Sequence, residues 1–356
     1  MTFAAEKIQR FRRFPFWWQA AITLGSVVIL VMVWSACGIS PPPSPPPLSS
    51  PRAELRGRYG DVLALAFSPT GEWLAAGTSD GTARLWDVSK GQVVRAMKGH
   101  AEAVSSLAVS PEGKTLATGS ADKTVKLWDV STGNEIRTFA EHVAPVTSVA
   151  FSPDGKLLAS ADSGGVILIF HVSSGEQVQN LIGHKSRVNA VEFSPNGRLL
   201  ASASDDRTVR LWDPQTGKLV RTLDGHRSRV TSLAFSPDSL LLATGTALQF
   251  NLRMDRPGEI RVWKLDNAAG GSALKQTLPG SIRCLAFSPN GEILASGTDF
   301  FETSTNSEVT FWDLKTNAVL SKWEAERRGQ LHAIAFSPDG RWLATGGHSG
   351  RIRLWQ

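Results

Sequence analysis

VNAVEFSPNGRLLASASDDRTVRLWDPQTGKLVRTLDGH, residues 188–226, is the stretch that decides the fold, because close copies of it fill most of the chain. The copies are marked by a Ser-Pro pair, whose prolines are Pro69, Pro111, Pro153, Pro195, Pro237, Pro289 and Pro338. The first five prolines lie 42 residues apart, and the last two steps are 52 and 49 residues. Self-similarity at a fixed period indicates a repeat architecture, in which each unit buries its apolar face against the next.

A second set of markers recurs in the same phase. An aromatic residue, often followed by aspartate, falls at Trp86, Trp128, Phe170, Trp212, Trp263, Trp312 and Trp355. Histidines, most of them preceded by glycine, fall at His100, His142, His184 and His226. Gly-His and Trp-Asp pairs at a period of about 40–45 residues are typical of β-propeller blades. On these motifs, residues 52–356 resemble the WD-repeat family, and the resemblance implies a propeller of seven blades.

Each repeat predicts four strands. Residues 230–235 alternate between apolar and polar side chains, and residues 236–238 supply a turn. Residues 241–244 form a short apolar strand, as expected of a sheet that is covered on both faces. Residues 208–212 and 218–223 predict the third strand and the outer strand. The predicted fold class is therefore all-β, a seven-bladed propeller of four-stranded antiparallel sheets.

The two ends of the repeat region complement each other. The chain ends at Trp355 and Gln356, after a third strand, so the seventh sheet lacks an outer strand. Residues 53–57 align with residues 179–183, which belong to an outer strand. We therefore predict that this N-terminal strand completes the last sheet and removes an unpaired edge.

The residues before the repeats divide into three segments. Residues 1–19 are basic, and residues 20–39 carry no charge and are long enough to cross a bilayer core as a helix. Residues 40–51 are rich in proline and predict an extended spacer. The basic residues before the apolar run are Lys7, Arg10, Arg12 and Arg13. By the positive-inside rule, the N-terminus is expected in the cytoplasm and the propeller, residues 52–356, on the extracytoplasmic side.

The apolar run has an alternative interpretation. Residues 34–38 resemble the cleavage box of a bacterial lipoprotein signal, in which small residues precede a cysteine that becomes lipidated. Cys37 would be the lipidated residue, although Trp34 stands where such boxes usually have an aliphatic residue. An uncleaved transmembrane anchor and a lipoprotein give the same topology. The N-terminal residue of the mature protein distinguishes them.

Charge and motif content exclude several classes of function. The formal net charge is +6, of which +3 falls in residues 1–51, so the propeller has no concentrated basic stripe for nucleic acid. The recurring histidines should lie on separate blades, and His332 and His348 have no second ligand at metal spacing. No Walker, dinucleotide or Gly-x-Ser-x-Gly motif is present. We expect no nucleic-acid partner, no bound metal and no cofactor.

Histidine, Ser or Thr, Asp and Trp recur at fixed offsets and resemble a catalytic triad at first sight. In the WD-repeat family such residues form a buried hydrogen-bond network within a blade. Carried over by position, the complete sets are His100, Thr118, Asp122 and Trp128, and His184, Ser202, Asp206 and Trp212. A nucleophile is needed once, whereas these sets recur, so we interpret them as structural.

Other blades depart from this set. The third blade has Gly164 in the Asp position and Phe170 in place of Trp, and the first has Arg58 and Ala76 in the His and Ser/Thr positions. The last three blades lack the Asp in frame, and the final two also lack the His. Apolar packing is expected to hold these blades more than hydrogen bonds do.

Two insertions interrupt the repeat between the second and third strands of blades five and six. They add nine and six residues to the usual 17-residue distance from Pro to Trp. Their candidate partner-binding residues are Phe250, Leu252, Arg253, Met254, Arg256, Phe300, Phe301 and Glu302. Strand alternation places both insertions on the face that carries the Gly-His loops, where they would form a lip with apolar tips. The alternative is that the insertions are only tolerated surface loops.

The sequence thus predicts a membrane-tethered, non-catalytic scaffold of bacterial type that binds protein partners. The competing hypothesis is an enzyme or small-ligand sensor that uses the central channel. That function would need carboxylates or histidines to converge on the innermost strands, and strands such as residues 104–109 and 146–151 supply mainly aliphatic, Ser and Thr residues. A cytoplasmic propeller is a third possibility, which would require the positive-inside signal to fail.

Overall fold

The computed structural model describes residues 51–57, 59–247, 257–266, 272–278, 280–299, 306–327 and 329–356. Within these residues every regular element is a β-strand, and 28 strands form seven antiparallel sheets of four. No helix in this part of the chain is long and apolar enough to cross a membrane. The predicted basic segment and anchor and almost all of the spacer, residues 1–50, lie outside the described residues.

Each sheet is one blade, and its strands follow one another in the chain. Blade 1 consists of β2 (Val62–Phe67), β3 (Trp73–Thr78), β4 (Thr82–Asp87) and β5 (Gln92–Lys98). Blade 2 consists of β6 (Val104–Val109), β7 (Thr115–Ser120), β8 (Val125–Asp129) and β9 (Glu135–Phe139). Blade 3 consists of β10 (Val146–Phe151), β11 (Leu157–Asp162), β12 (Ile167–His171) and β13 (Gln177–Leu181). Blade 4 consists of β14 (Val188–Phe193), β15 (Leu200–Ser204), β16 (Val209–Trp212) and β17 (Leu219–Leu223).

The remaining blades follow the same order, except the last. Blade 5 consists of β18 (Val230–Phe235), β19 (Leu241–Thr246), β20 (Gly258–Lys264) and β21 (Ser272–Leu278). Blade 6 consists of β22 (Ser281–Phe287), β23 (Ile293–Asp299), β24 (Ser307–Asp313) and β25 (Ala318–Glu326). Blade 7 consists of β26 (Leu331–Phe336), β27 (Leu343–Gly347), β28 (Arg351–Trp355) and β1 (Ala53–Arg56). The seven-bladed all-β prediction is confirmed, with strand ends within about two residues of those expected.

The Ser-Pro turn joins the first and second strands of each blade. In blade 3 the amide of Leu157 donates to the hydroxyl of Ser152 (2.9 Å), and the amide of Gly155 donates to the carbonyl of Ser152 (2.9 Å). Gly155 adopts φ +70°, a conformation that costs glycine little. Ser239 takes the equivalent position in blade 5 with φ +63°. These turns lie at the opposite end of the innermost strands from the Gly-His loops.

The core lies between neighbouring blades rather than within any one of them. One apolar cluster joins Val209 and Leu211 of blade 4 to Val230 and Leu233 of blade 5. Close approach between blades depends on small residues in the second strands. A methyl group on Gly245, for example, would lie 2.5 Å from the side chain of Ile282 in the next blade. Each blade therefore needs a neighbour to cover its apolar face.

The N-terminal strand closes the ring. Strand β1 pairs antiparallel with β28, and Leu55 lies opposite Ile352. The amide of Arg52 extends the ladder by donating to the carbonyl of Leu354 (2.9 Å). Leu55 is 1% exposed and belongs to an apolar cluster shared by blades 7 and 1. Blade 7 thus obtains its outer strand from the other end of the repeat region.

Deleting residues 52–57 should lower the melting temperature by about 5 °C or more, because β28 loses its partner and Leu55 leaves the core. Calorimetry of the intact and deleted chains measures the difference. An equal deletion in the spacer, residues 41–46, is the control for chain shortening. An unchanged melting temperature after the 52–57 deletion would contradict closure by β1.

Candidate functional site

The two complete sets of repeat residues are joined by hydrogen bonds in blades 2 and 4. In blade 2, Nδ1 of His100 lies 2.8 Å from Oδ2 of Asp122, and Nε2 lies 2.7 Å from the hydroxyl of Thr118. The indole of Trp128 donates to the same hydroxyl (2.8 Å). In blade 4, Nδ1 of His184 lies 2.8 Å from Oδ2 of Asp206, and Nε2 lies 2.7 Å from the hydroxyl of Ser202. The indole of Trp212 donates to this hydroxyl (2.8 Å).

The protonation states of these residues determine which group donates and which accepts in each hydrogen bond. Burial disfavours the imidazolium and lowers the pKa of His100 and His184, despite the carboxylate beside each ring. Burial alone would raise the pKa of Asp122 and Asp206, but hydrogen bonds from hydroxyl and imidazole lower both to about 2. The ionised Asp therefore accepts from Nδ1–H of a neutral His, whose Nε2 accepts from the hydroxyl.

The arrangement has the connectivity of a Ser-His-Asp triad but not its accessibility. Thr118 and Ser202 are fully buried, and each hydroxyl oxygen already accepts a hydrogen bond from a Trp indole. A nucleophilic oxygen must reach a substrate, and these oxygens face the inside of a blade. The geometry supports a structural role in both blades.

Blade 3 recruits a different aspartate from the one that the repeat offset indicates. Nδ1 of His142 lies 2.8 Å from Oδ2 of Asp162, and Nε2 lies 2.7 Å from the hydroxyl of Ser160. The other oxygen of Asp162 accepts from the amides of Gly164 and Val166 (2.9 and 3.0 Å). Gly164 does occupy the Asp position of the repeat, but the expectation of a missing carboxylate is wrong. A residue two positions earlier reaches the same histidine from the end of β11.

The last three blades keep part of the network. The indoles of Trp263, Trp312 and Trp355 donate to the hydroxyls of Thr244, Ser296 and Thr345 at 2.9 Å in each case. Hydrogen bonding between the second and third strands is therefore retained there, beside the apolar packing that the sequence predicts.

Blade 1 replaces the network with an ion pair. Arg84 contacts Asp80 through two nitrogens (2.6 and 3.1 Å) and the hydroxyl of Thr78 (2.7 Å). Its guanidinium also lies 3.8 Å from the centre of the Tyr59 ring. Because Ala76 has no hydroxyl, the buried indole nitrogen of Trp86 finds no hydrogen-bond partner among the residues that the structure describes. Arg58, the other residue noted in the sequence, lies outside the described residues.

The predicted lip is described only at its base. Phe250, Leu252, Arg253, Met254, Arg256, Phe300, Phe301 and Glu302 all lie outside the described residues. At the base, the amide of Gly258 donates to the carbonyl of Gly280 (2.8 Å), and the hydroxyl of Ser307 to the carbonyl of Gly329 (2.6 Å). Gly280 and Gly329 precede the first strands of blades 6 and 7. Both insertions therefore start and end on the face that carries the Gly-His loops.

Two exposed apolar side chains lie on the same face. Val143 is 81% exposed and directly follows His142, and Ile182 is 79% exposed and precedes Gly183. Both exceed the other exposed large apolar residues of the described chain, such as Val220 at 57%. Val143 and Ile182 lie on neighbouring interblade loops, and exposed apolar side chains of this kind are features that binding surfaces use.

The innermost strands enclose a central cavity of about 550 Å³. Most of its lining is aliphatic, Ser and Thr, as the sequence indicates, but Glu192, Arg283 and His332 also line it. Burial raises the pKa of Glu192 to about 8, opposed only by a hydrogen bond from the amide of Phe235 (3.4 Å). Sequence reasoning missed Glu192, although it stands at a position where the other six blades have alanine.

Charged groups also meet at the cavity mouth on the Gly-His side. Nε of Arg283 donates to the buried Asp299 (3.0 Å), and Asp61 lies 3.2 Å from His348 and 4.0 Å from His332. Burial and the nearby Arg283 lower the pKa of His332, which favours its neutral form. In the described part of the chain no group of three His, Cys, Asp or Glu has the geometry to hold a metal ion.

Cys284 lies in the first strand of blade 6 and is buried. Burial raises the pKa of its thiol to about 12, so the reactive thiolate is strongly disfavoured. Its sulfur would lie 2.4 Å from a methyl group added to Gly297, so the side chain fills space between two strands. Cys37, the candidate lipidation site, lies outside the described residues.

Comparison with known proteins agrees with the repeat architecture. Residues 145–298 match the family model described as the IFT122 first beta-propeller. Residues 49–87, 91–129 and 319–356 match the model described as WD domain, G-beta repeat. The chain is a seven-bladed β-propeller built from WD40 repeats.

Individual relatives match over short segments. A ribosome biogenesis protein BOP1 homolog of Monosiga brevicollis is 39% identical over 54 residues, 15% of this chain and 7% of the relative. A BOP1 homolog of Oryza sativa subsp. japonica is 43% identical over 42 residues, 12% of this chain and 6% of the relative. The ribosome biogenesis protein ERB1 of Ajellomyces capsulatus is 46% identical over 44 residues, 12% of this chain and 6% of the relative. Each alignment is about one blade long, so the likeness is that of the repeat.

Replacing Asp162 by Ala should lower the free energy of unfolding by about 2 kcal/mol, as much as Asp122→Ala, because His142 and two amides lose their acceptor. Urea denaturation measures the change, and Glu141→Gln, an exposed neighbour of His142, is the control. A loss for Asp122→Ala without one for Asp162→Ala would show that blade 3 does not use Asp162.

Replacing Glu192 by Ala should stabilise the propeller increasingly as the pH rises. The pKa of Glu192 is raised on folding, so the folded state holds a proton that the unfolded chain releases between about pH 4 and pH 8. The loss of folding free energy caused by Glu192 is therefore absent below this pH window and complete above it. We expect the gain to grow by about 4 kcal/mol between pH 5 and pH 8.5 in urea denaturation, at about 1.4 kcal/mol per pH unit over most of this range. Glu112→Ala, an exposed control, should show no such growth. A pH-independent gain would contradict the raised pKa.

Proposed function

We propose that this protein is a non-catalytic scaffold that binds a protein partner through the face carrying the Gly-His loops. The observation that carries the proposal is the exposure of Val143 and Ile182 on this face. The two insertions of blades 5 and 6 start and end on the same face. WD40 propellers generally bind protein partners. The face is broad and is held by seven blades that support one another, so it presents loops on a rigid base.

The same structural facts disfavour a catalytic function at the repeat residues. The histidines of blades 2 to 4 are tied to a carboxylate and a hydroxyl inside their own blade, and the hydroxyls are buried. The arrangement recurs, as stabilising elements do, whereas catalysis needs one accessible set. The polar residues of the repeat therefore stabilise the scaffold in this proposal.

The insertions extend the proposed binding face. Regular blades join their second and third strands by short turns, such as residues 121–124 between β7 and β8. Blades 5 and 6 use residues 247–257 and 300–306 instead. Their sequence contains apolar and aromatic residues beside charged ones, a composition that favours partner binding over solvation.

The proposal includes a membrane tether. Residues 20–39 would form the anchor, as a transmembrane helix or as a lipoprotein signal ending at Cys37, and residues 40–51 would hold the propeller away from the bilayer. The uncharged run and the basic residues before it support this part, and by the positive-inside rule they favour a propeller outside the cytoplasm. The proposal does not assign this protein a role in ribosome biogenesis. Each of the relatives named for that role shares only about one repeat with this chain.

The binding face can be tested by crosslinking and co-purification from native membranes with two altered forms of the intact chain. In one, residues 247–257 and 300–306 are each replaced by the turn of residues 121–124. In the other, Val143 and Ile182 are changed to Asp. We expect each to recover a partner at least about tenfold less than the unaltered chain does, because both lose apolar contacts.

The matched control carries Val94→Asp and Val220→Asp, two exposed apolar positions on outer strands. Melting temperatures of all forms show that the fold is retained. Equal recovery of the same partner by all four proteins would overturn the proposed face.

A further inference from the structure

One position of the innermost strands breaks an otherwise uniform ring. Directly before the last residue of the strand, six blades have alanine, at Ala66, Ala108, Ala150, Ala234, Ala286 and Ala335. Blade 4 has Glu192 instead. Ala66, Ala108 and Ala150 line the central cavity at this level, and among the described residues Glu192 is the one carboxyl group in its lining.

The carboxyl group has almost no compensation from the protein. Its one hydrogen bond is a long one, from the amide of Phe235 to Oε1 at 3.4 Å. Among the described residues, no Lys, Arg or His forms an ion pair with Glu192. The side chain is half-buried, and desolvation by the surrounding atoms raises the pKa of its carboxyl group. An uncompensated carboxylate in such a place is costly.

We propose that Glu192 makes the central channel a binding site for a cationic group, an alkylammonium or a guanidinium, on a slender apolar stem. Such a cation supplies the opposite charge that the protein does not. Alanine, valine and leucine side chains of neighbouring strands line the channel and provide an apolar wall for the stem. At pH 7 a carboxyl group with a pKa of about 8 is mostly protonated, so a bound cation would favour the ionised form of Glu192 and release its proton to solvent. A neutral ligand gains no such charge pairing, so the site selects for charge.

The direction of entry follows from the position of Glu192 along its strand. Glu192 lies three residues before Pro195, and therefore close to the mouth formed by the Ser-Pro turns. Arg283 is near the start of its strand, at the opposite mouth, where its charge is balanced by the ion pair with Asp299. Strand rise separates the two levels by about 10 Å. The residue after proline is acidic in four of the seven turns, at Glu112, Asp154, Asp238 and Asp339. Basic residues stand in four of the seven turns, at Lys114, Lys156, Arg198 and Arg341, and Nζ of Lys156 lies 3.8 Å from Asp154. Entry from this side therefore rests on the position of Glu192 and not on the net charge of the turns.

The site is independent of the proposed partner-binding face, since it lies at the other mouth of the channel. Failure of one proposal therefore leaves the other standing.

The test measures binding of simple probes to the full-length protein by isothermal titration calorimetry at pH 7. The probes are n-butylammonium, n-butylguanidinium and, as the neutral isostere, n-butanol. We expect millimolar affinity for at least one cation, no measurable binding of n-butanol, and at least about tenfold weaker cation binding by Glu192→Ala and Glu192→Gln. Glu141→Ala, an exposed position on the face of the Gly-His loops, should bind the cations like the unaltered protein.

A double variant separates loss of charge from local repacking. Glu192→Ala combined with Ala150→Glu moves the carboxyl group to the equivalent position of the preceding blade, which also lines the cavity, and it should restore cation binding. An N-acetylated, C-amidated Gly-Lys-Gly peptide replaces n-butylammonium in a further titration. Tighter binding of the peptide assigns the cation to a side chain of a partner, and weaker binding assigns it to a free amine; both support the site. Equal cation binding by the unaltered protein and Glu192→Ala, or none by the unaltered protein, would overturn the proposal.

Discussion

The packing of one blade against the next is the constraint on which the rest of this structure depends. Each sheet is apolar on both faces, so it must be covered on both sides by neighbours. A linear array would leave two uncovered faces and an unpaired edge, and the ring avoids both. Pairing of β1 with β28 is therefore as important as any single apolar contact, since it joins the two ends of the repeat region.

The ring also explains how polar residues are distributed. Histidine, hydroxyl and carboxylate groups that would be costly in a core are joined to one another within blades 2, 3 and 4, and a Trp indole joins them in blades 2 and 4. Their recurrence makes them part of the scaffold. Glu192 and the two insertions each occur once and are not needed by the scaffold. They are therefore the places where we propose function.

The sequence predicted the fold well because turn residues, strand residues and residues between blades recur at the same period. The markers define blades and strands, and residues 53–57 identify the closing strand. Reasoning by offset failed at Asp162, since a carboxylate two residues earlier reaches the same histidine through space. Glu192 was visible as a break in a column of alanines, but its burial and lack of a counter-ion required the structure. The candidate lip residues lie outside the described residues, so their contribution stays a prediction.

Residue-resolved hydrogen exchange of the intact protein tests the closed ring most directly. Closure predicts that the amides of residues 53–56 and 351–355 that bond across β1 and β28 exchange as slowly as those of residues 209–212, in the interior of blade 4. Rapid exchange in both terminal segments, with slow exchange in the other blades, would contradict the account, because it would show a ring open at blade 7.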